Sequence, residues 1–408
     1  MRPVLIVGAG IAGLACAARL HRAGRSFVLL EASDGVGGRV RSDRTEDGFI
    51  LDRGFQVLLS AYPEVKRQLD FAALQPRAFR SGAVIRLPDG KEAVLRDPFR
   101  DLWAIPSALG SPIGTLADKL RLARLACSVA LRSPDTLLSE NAEGTLEFLH
   151  RQGFSPRCIE LFFRPFFGGV FLDRSLLVDS CFFNFVFQQF VRGRAVLPQG
   201  GMQRIPDQLA AGLPGDSIFL STPVSAVEKG AVELKNGKRL LGSAVVLAVE
   251  GTAAARLMPG LVTPALWRRT TCLYFAAPDK PGKGDGYLRL NACPKALVHN
   301  VCFPSDIDPE VSPPGQTLVS VSSHGLNGLS APVLQARVLV ELGDWFGPQV
   351  RGWRHLRSYE IPRALPATLT RVARPILHSG VHVCGDHVAY PSLNAALATG
   401  RLTAESLL

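Results

Sequence analysis

Gly8, Gly10 and Gly13 stand in the spacing G-x-G-x-x-G, and an acid, Glu31, follows them. That spacing suits one task. Gly8 permits a tight turn, Gly10 lets the backbone approach a pyrophosphate, and Gly13 lets a helix pack closely on a strand. Ile11 and Ala12 would open that helix, where free N–H groups and the positive dipole end face an anion. Glu31 is placed to accept hydrogen bonds from the hydroxyls of an adenosine ribose. The chemistry implied is the holding of a dinucleotide, not yet a reaction.

The elements that must position these residues can be read around them. Val4-Leu5-Ile6-Val7 is a short apolar run before the glycines, as in a buried parallel strand. The stretch from Ile11 to His21 is rich in Ala and Leu and reads as a helix. Phe27-Val28-Leu29-Leu30 is a second buried strand, and Glu31 closes it. A glycine-rich turn with no ligand is the plain alternative. The strand context and the acid at this distance argue for the β-α-β dinucleotide unit instead.

A second close-approach loop follows at Gly37-Gly38-Arg39. Two glycines let backbone N–H groups reach a ligand, and Arg39 can give a charge-assisted hydrogen bond to its phosphate. Glu31-Ala32 followed by Gly37-Gly38-Arg39, after the first glycine turn, resembles the FAD-binding signature of the flavin amine oxidase superfamily. That superfamily includes phytoene-desaturase-like, protoporphyrinogen-oxidase-like and monoamine-oxidase-like enzymes. The resemblance implies FAD as the dinucleotide. It continues at Asp52-Arg53-Gly54, where it implies that Gly54 lies near the isoalloxazine with Phe55 and Gln56 beside the reacting face. Pro198-Gln199-Gly200-Gly201-Met202 is similar to a segment of the phytoene-desaturase-like and protoporphyrinogen-oxidase-like members, and Val224 matches the valine whose backbone contacts adenine. Gly385-Asp386, then a helix from near Ser392 through Leu393 and Asn394, resembles the C-terminal flavin motif. It implies that Asp386 bonds the ribityl or pyrophosphate oxygens, and that the helix end stabilises the anion of reduced flavin. No aromatic-cysteine or glycine-cysteine attachment site is seen here, so the FAD is expected to be non-covalent.

The motifs lie at the two ends and the middle of the chain. The expected fold class is therefore α/β, a Rossmann-type FAD-binding domain assembled from residues 1–78, 195–257 and 365–408. An interleaved α+β substrate domain would take residues 79–194, helical and rich in phenylalanine, and 258–364, mostly sheet. In the first insert, Ala83 to Leu87 and Glu92 to Leu95 flank a Pro-Asp-Gly-Lys turn and read as a hairpin. Ala117 to Leu131 and Thr145 to Leu149 read as helices. Ile218 to Val227 alternates as one strand, and Ala231 to Leu241 reads as a hairpin around Asn236-Gly237. In the second insert, Thr270 to Ala276, Ala296 to Phe303 and Thr317 to Ser323 read as strands of one sheet, and Pro332 to Trp345 as a helix.

One stretch is abnormal. Residues 154–190 hold 11 of the 22 phenylalanines. Such a density means core on all sides, a tunnel wall for a long apolar substrate, or a surface that dips into a membrane. Arg164, Gln188, Gln189 and Arg192 are the polar groups at hand.

Composition sets the outer limits. The chain has 408 residues, 47% hydrophobic and 20% charged. It has no run of about 18 strongly apolar residues of the kind that spans a bilayer. The first strand begins almost at residue 1, which leaves no room for a signal peptide, so a cytoplasmic location is expected. Eight cysteines are scattered without a C-x-x-C pair or neighbouring histidines, so neither a metal site nor a disulfide framework is expected. The net charge of +11 comes from residues spread along the chain, with no nucleic-acid module. A positive surface also suits peripheral contact with anionic lipid.

Protein-bound FAD takes up a hydride or two electrons, while the protein supplies placement and electrostatics. With no second glycine fingerprint for a nicotinamide, a diffusible electron acceptor, oxygen or a quinone, is expected. In the amine-oxidising members a lysine from the substrate sheet holds a water near the flavin. The strand Thr270 to Phe275 has none. The sequence therefore points to a desaturase or dehydrogenase passing hydride from a lipophilic, isoprenoid- or carotenoid-like substrate to flavin N5, with Gln56 and Arg164 orienting it. An amine or protoporphyrinogen-type oxidase is the first alternative. A non-redox flavin isomerase, or a flavin-binding protein without turnover, is the second.

Overall fold

The computed structural model describes residues 2–96, 110–140, 143–259, 266–324, 328–367 and 372–408. The glycine turns sit on a six-stranded sheet. Its order is Ile218–Phe219, Phe27–Leu30, Val4–Val7, Ala244–Leu247, Val381–Val383, Ile376–His378. All neighbours pair parallel except the last two. Val4–Val7 lies inside this sheet and is buried at every position, which is why it is apolar throughout and does not alternate. Strands from the beginning, middle and end of the chain thus meet in one layer.

Two helices lie on that layer, Ile11–Arg22 and Leu393–Glu405. They touch where Gly400 meets Ala12. A Cβ at 400 would lie 2.2 Å from the Ala12 carbonyl oxygen, so this approach requires glycine. The first turns of both helices, at Ile11 and Leu393, border the same cavity.

The second sheet has seven strands, in the order Arg354–Pro366, Trp267–Ala277, Thr317–His324, Asn300–Cys302, Leu288–Asn291, Gly82–Arg86, Glu92–Arg96. The hairpin 82–96 comes from the first insert and the other strands from the second. Period-two alternation gives the sheet two faces. Leu273, Phe275, Val319 and Val321 pack on Leu334, Val338 and Leu342 of the helix Ala331–Phe346. Cys272, Tyr274 and Ala276 point the other way, toward Phe49, Ile50 and Leu51.

The phenylalanine-rich stretch folds into two helical runs. Ile159–Phe163 is a π-helical turn that continues into Arg164–Phe171. Pro165 has no N–H to give, and the widened turn sits just before it. Ser180–Arg192 packs beside this run, with Phe167 and Phe183 edge to face at 4.7 Å between ring centres.

One expected element is divided. Ile218 to Val227 is not one strand. Ile218–Phe219 joins the parallel sheet, and Val224–Glu228 joins a separate antiparallel sheet with Ala231–Leu234 and Arg239–Leu241. Ser221 takes a left-handed backbone (φ 49°), and Pro223 follows it. Together they turn the chain between sheets. Among the described residues, no helix is long and apolar enough to cross a membrane.

Candidate functional site

A cavity of about 1450 Å³ runs from the glycine turns to the helix Leu116–Ala130. Ligand pockets commonly measure about 300–1,000 Å³, so the space exceeds what one small molecule needs. One end is a backbone cradle. Gly8 (φ +104°), Gly10, Ile11, Ala12, Gly37 (φ +113°) and Gly38 (φ +60°) line it. The two glycine loops are stitched together, since the Gly37 N–H donates to the Ala9 carbonyl at 2.8 Å.

This end fits the phosphates of a dinucleotide. The helix Ile11–Arg22 starts from Gly10 with no side-chain cap and no acid in its first turn, leaving its opening N–H groups free for an anion. A Cβ on Gly10 would meet nothing within 4 Å, so open space stands over the turn. A Cβ on Gly13 would lie 1.9 Å from the Gly8 carbonyl oxygen, so Gly13 serves packing and does not line the cavity. Glu31 does line it. Its Oε2 accepts from the Ala9 N–H at 2.7 Å, and its Oε1 from the Ser33 N–H at 2.9 Å. The Ser33 hydroxyl also donates to Oε1 at 2.8 Å, so of about four acceptor sites about one is left for a sugar hydroxyl.

Three distant segments converge next to the cradle. Arg39 donates to Asp386 with both terminal nitrogens, at 2.9 and 2.6 Å, and to the Ala364 carbonyl at 3.0 Å. Burial opposes the Arg39 charge, and Asp386 outweighs it and raises the guanidinium pKa. Gly385, Asp386 and Leu393 line the cavity, and Ser392 caps the last helix through its Oγ, which accepts from the Ala395 N–H at 3.0 Å. Asp52 ties in the middle of the chain. It accepts from the Met202 N–H at 2.9 Å and from the Ser42 hydroxyl at 2.5 Å, and burial raises it to about 6. Gly54 (φ +100°), Phe55 and Gln56 all line the cavity, and the Gln56 amide donates to the Arg39 carbonyl at 2.9 Å.

The other end is apolar. Phe162, Phe166, Phe167, Phe182, Phe187 and Phe190 line it, while Phe154, Phe163, Phe171, Phe183 and Phe185 are buried in the protein core. The stretch is therefore core and wall at once. On Ser180–Arg192, the wall residues 182, 186, 187, 190 and 191 recur at helical spacing.

Polar groups interrupt this wall on the sheet. His299, Asn300, Ser322, His324 and Thr270 line the cavity. The two imidazoles lie 3.9 Å apart. Burial, then the neighbouring His324 and the Arg174 guanidinium, hold His299 well below its usual range. Burial and Arg174 lower His324 to about 4, so both rings are neutral near pH 7.

Some expected site residues are not brought to the cavity. Arg164 donates to Glu160 Oε1 at 2.7 Å and to the Arg174 carbonyl, so it braces its own helix and lies outside the cavity lining. Gln188 and Arg192 donate to the carbonyls at the end of the helix Leu116–Ala130, satisfying acceptors that a helix end leaves open. The Gln189 amide donates to the Phe185 carbonyl at 3.2 Å. Asn394 is buried, accepting from the Glu64 N–H and donating to the Tyr390 hydroxyl. Ala32 and Val224 also lie outside the lining. Val224 follows the Ser221 turn into the separate antiparallel sheet.

Other lining residues were missed in the sequence. Ser322 and His324 are one such pair. Their signal was present, because Thr317–His324 alternates and places Ser320, Ser322 and His324 on one face. Tyr62 carried no local signal. It lines the cavity and stacks on Phe185 at 6.1 Å.

The model of the family of flavin containing amine oxidoreductases matches residues 11–408. Putrescine oxidase of Kocuria rosea is 30% identical over 242 residues, covering 55% of this chain and 49% of that protein. A 15-cis-phytoene desaturase of an Oncidium hybrid cultivar is 27% identical over 164 residues, covering 38% and 28%. The matched stretches thus span about half or less of these curated relatives. A solved putrescine oxidase structure with bound putrescine superimposes with a TM-score of 0.73 at 20% identity, covering 100% of this chain and 98% of that one, so the fold is shared. The match along almost the whole sequence, together with the cradle built from its ends and middle, leads to one conclusion: the chain belongs to the family of flavin-containing amine oxidoreductases, and its cofactor is FAD.

Proposed function

We propose that this protein is an FAD-dependent dehydrogenase or desaturase of a hydrophobic molecule of isoprenoid or carotenoid type. Bound FAD supplies the acceptor for a hydride, and the protein's residues do the rest. Backbone N–H groups at Ile11 and Ala12 hold the diphosphate. Phe162, Phe166 and Phe190 seat the apolar body and exclude water from it. Gln56, fixed on the Arg39 carbonyl, borders the space beside Gly54 and orients the bound molecule.

The observation that carries this reading is the apolar half of the cavity. Its carboxylates support the same reading, because most are already engaged. Glu31 and Asp386 are bonded as described. Asp118 accepts from Ser155 and Thr115, and these bonds outweigh burial and hold it at about 2. Glu250 caps the helix Gly251–Leu257 and pairs with Arg363. Glu360 is exposed on its strand. Among the described lining residues, Lys119 on the helix Leu116–Ala130 is the one lysine, and the strand Trp267–Ala277 contributes none.

The similarity to putrescine oxidase favours a second reading, oxidation of an amine with oxygen as acceptor. One experiment separates them. The FAD-loaded protein is mixed without oxygen with apolar polyenes and, separately, with a panel of amines. Loss of the flavin's visible absorbance with polyenes is the expected result. Bleaching by amines alone, with hydrogen peroxide released in air, would replace this reading with the second. Conversion of a polyene without bleaching would assign an isomerase.

A further inference from the structure

We propose that the helix Leu116–Ala130 and its basic surroundings dock on an anionic lipid surface, forming the port through which an apolar substrate enters; the port's purpose rests on the function proposed above. At 100° per residue, Leu116, Cys127, Leu120 and Leu131 fall within about 60° of one another around the helix axis. Leu116 is 61% exposed, Leu120 66% and Leu131, at the C-cap, 88%. Cys127 is exposed as well. Scattered exposed leucines are ordinary, but a stripe of them along one helix needs a reason.

The reason lies on the adjoining arc. Leu122, Ala126, Lys119 and Ala123 turn into the cavity, and Leu116 and Leu120 are both exposed and part of its lining. The stripe is therefore the outer edge of an apolar wall that continues inward to Phe162 and Phe166. The helix is only about 22 Å long, too short to cross a bilayer, so it would lie along a surface.

Charge selects the occupant. Arg124 borders the stripe and is exposed. Arg157 is anchored on the Pro112 carbonyl before the helix, and Arg192 on the Ala130 carbonyl at its end. Of the nearby acids, Asp118 is buried and bonded to Ser155, and Glu140 pairs with Arg132, which leaves Asp135 exposed just past Leu131 against Arg124, Arg157 and Arg192. With a net charge of +11, an apolar stripe set among arginines matches anionic headgroups above acyl chains.

The test is flotation of the FAD-loaded protein with two kinds of vesicle, phosphatidylcholine alone and phosphatidylcholine mixed with phosphatidylglycerol. Binding to the mixed vesicles is expected, with weaker binding to the neutral ones. Leu131→Glu and Arg124→Glu, which lie outside the cavity lining, are each expected to weaken vesicle binding about tenfold while keeping bound flavin and turnover of detergent-dispersed substrate. Vesicle binding that is absent in the native protein, or unchanged in both variants, would overturn the proposal. So would a dimer in sedimentation that Leu131→Glu dissolves, because the stripe would then belong to a second copy. Vesicle binding needs no redox step, so a failure of the polyene assay alone would leave this result standing.

Discussion

The two ends of the cavity suit their proposed ligands by different means. At the glycine end, recognition belongs to the backbone: N–H groups of Ile11 and Ala12, positive φ at Gly8 and Gly37, and one acid, Glu31. At the phenylalanine end, it belongs to side-chain shape, with six rings from two helices and few polar atoms. Backbone recognition demands particular residue types at fixed spacing, because only glycine tolerates those angles and approaches. Shape recognition demands volume and apolarity, which many residues satisfy. The difference teaches where specificity can drift. Cofactor choice is confined by geometry, while substrate choice can change one wall residue at a time.

Substitutions can break each end separately, and the largest effect is expected at Gly13. A Cβ there meets the Gly8 carbonyl oxygen at 1.9 Å. Gly13→Ala should cost about 3 kcal/mol of stability and the bound flavin, read by denaturant midpoint and by absorbance after gel filtration. A yellow protein of native stability would show that the turn yields. Next comes Asp386→Ala, which leaves Arg39 with a carbonyl and no carboxylate. A loss of about 2 kcal/mol is expected, the scale of a charged hydrogen bond. Glu31→Gln should weaken FAD about tenfold, or about 1.4 kcal/mol, in equilibrium titration. An unchanged affinity would limit Glu31 to bracing Ala9 and Ser33.

The smallest effect concerns pH. Asp52 is raised from 3.8 to about 6, so the folded protein binds this proton more tightly than the unfolded chain. The associated stability is gained as pH falls below about 6 and is lost as pH rises through it. Asp52→Asn keeps an oxygen for the Met202 N–H and removes the titration. The stability curve between about pH 4 and 6, read from denaturant midpoints, should flatten. An unaltered slope would mean that Asp52 does not titrate in that range.

How much could be read in the sequence follows the same division. The β-α-β unit, the Gly37-Gly38 loop and the Gly385-Asp386 segment were legible because each depends on glycine where no other residue fits. The hairpin around Asn236-Gly237 was legible for the same reason, with Gly237 at φ +82°. The wall was legible only as composition. Phe163 and Phe166 look alike in sequence, yet one is core and the other lines the cavity, since that depends on which side of a helix faces the sheet. Arg164 looked like a ligand group because charge among apolar residues suggests a site. Its partners, Glu160 and the Arg174 carbonyl, become visible only after the π-turn and helix form. The polar spot at His299 and His324 arises from strands that pair across the sheet, a relation that local spacing does not carry.

The claim beneath all of this is that cradle and wall are separable: one holds the flavin, the other selects an apolar substrate. Phe166→Asp tests it directly, with flavin content and turnover measured on the same purified sample. The account predicts a yellow protein whose turnover of apolar substrate falls by at least about a hundredfold, because a carboxylate in the wall is costly to desolvate. A colourless protein would make the segment core alone, and a yellow one with native turnover would remove the wall from the reaction.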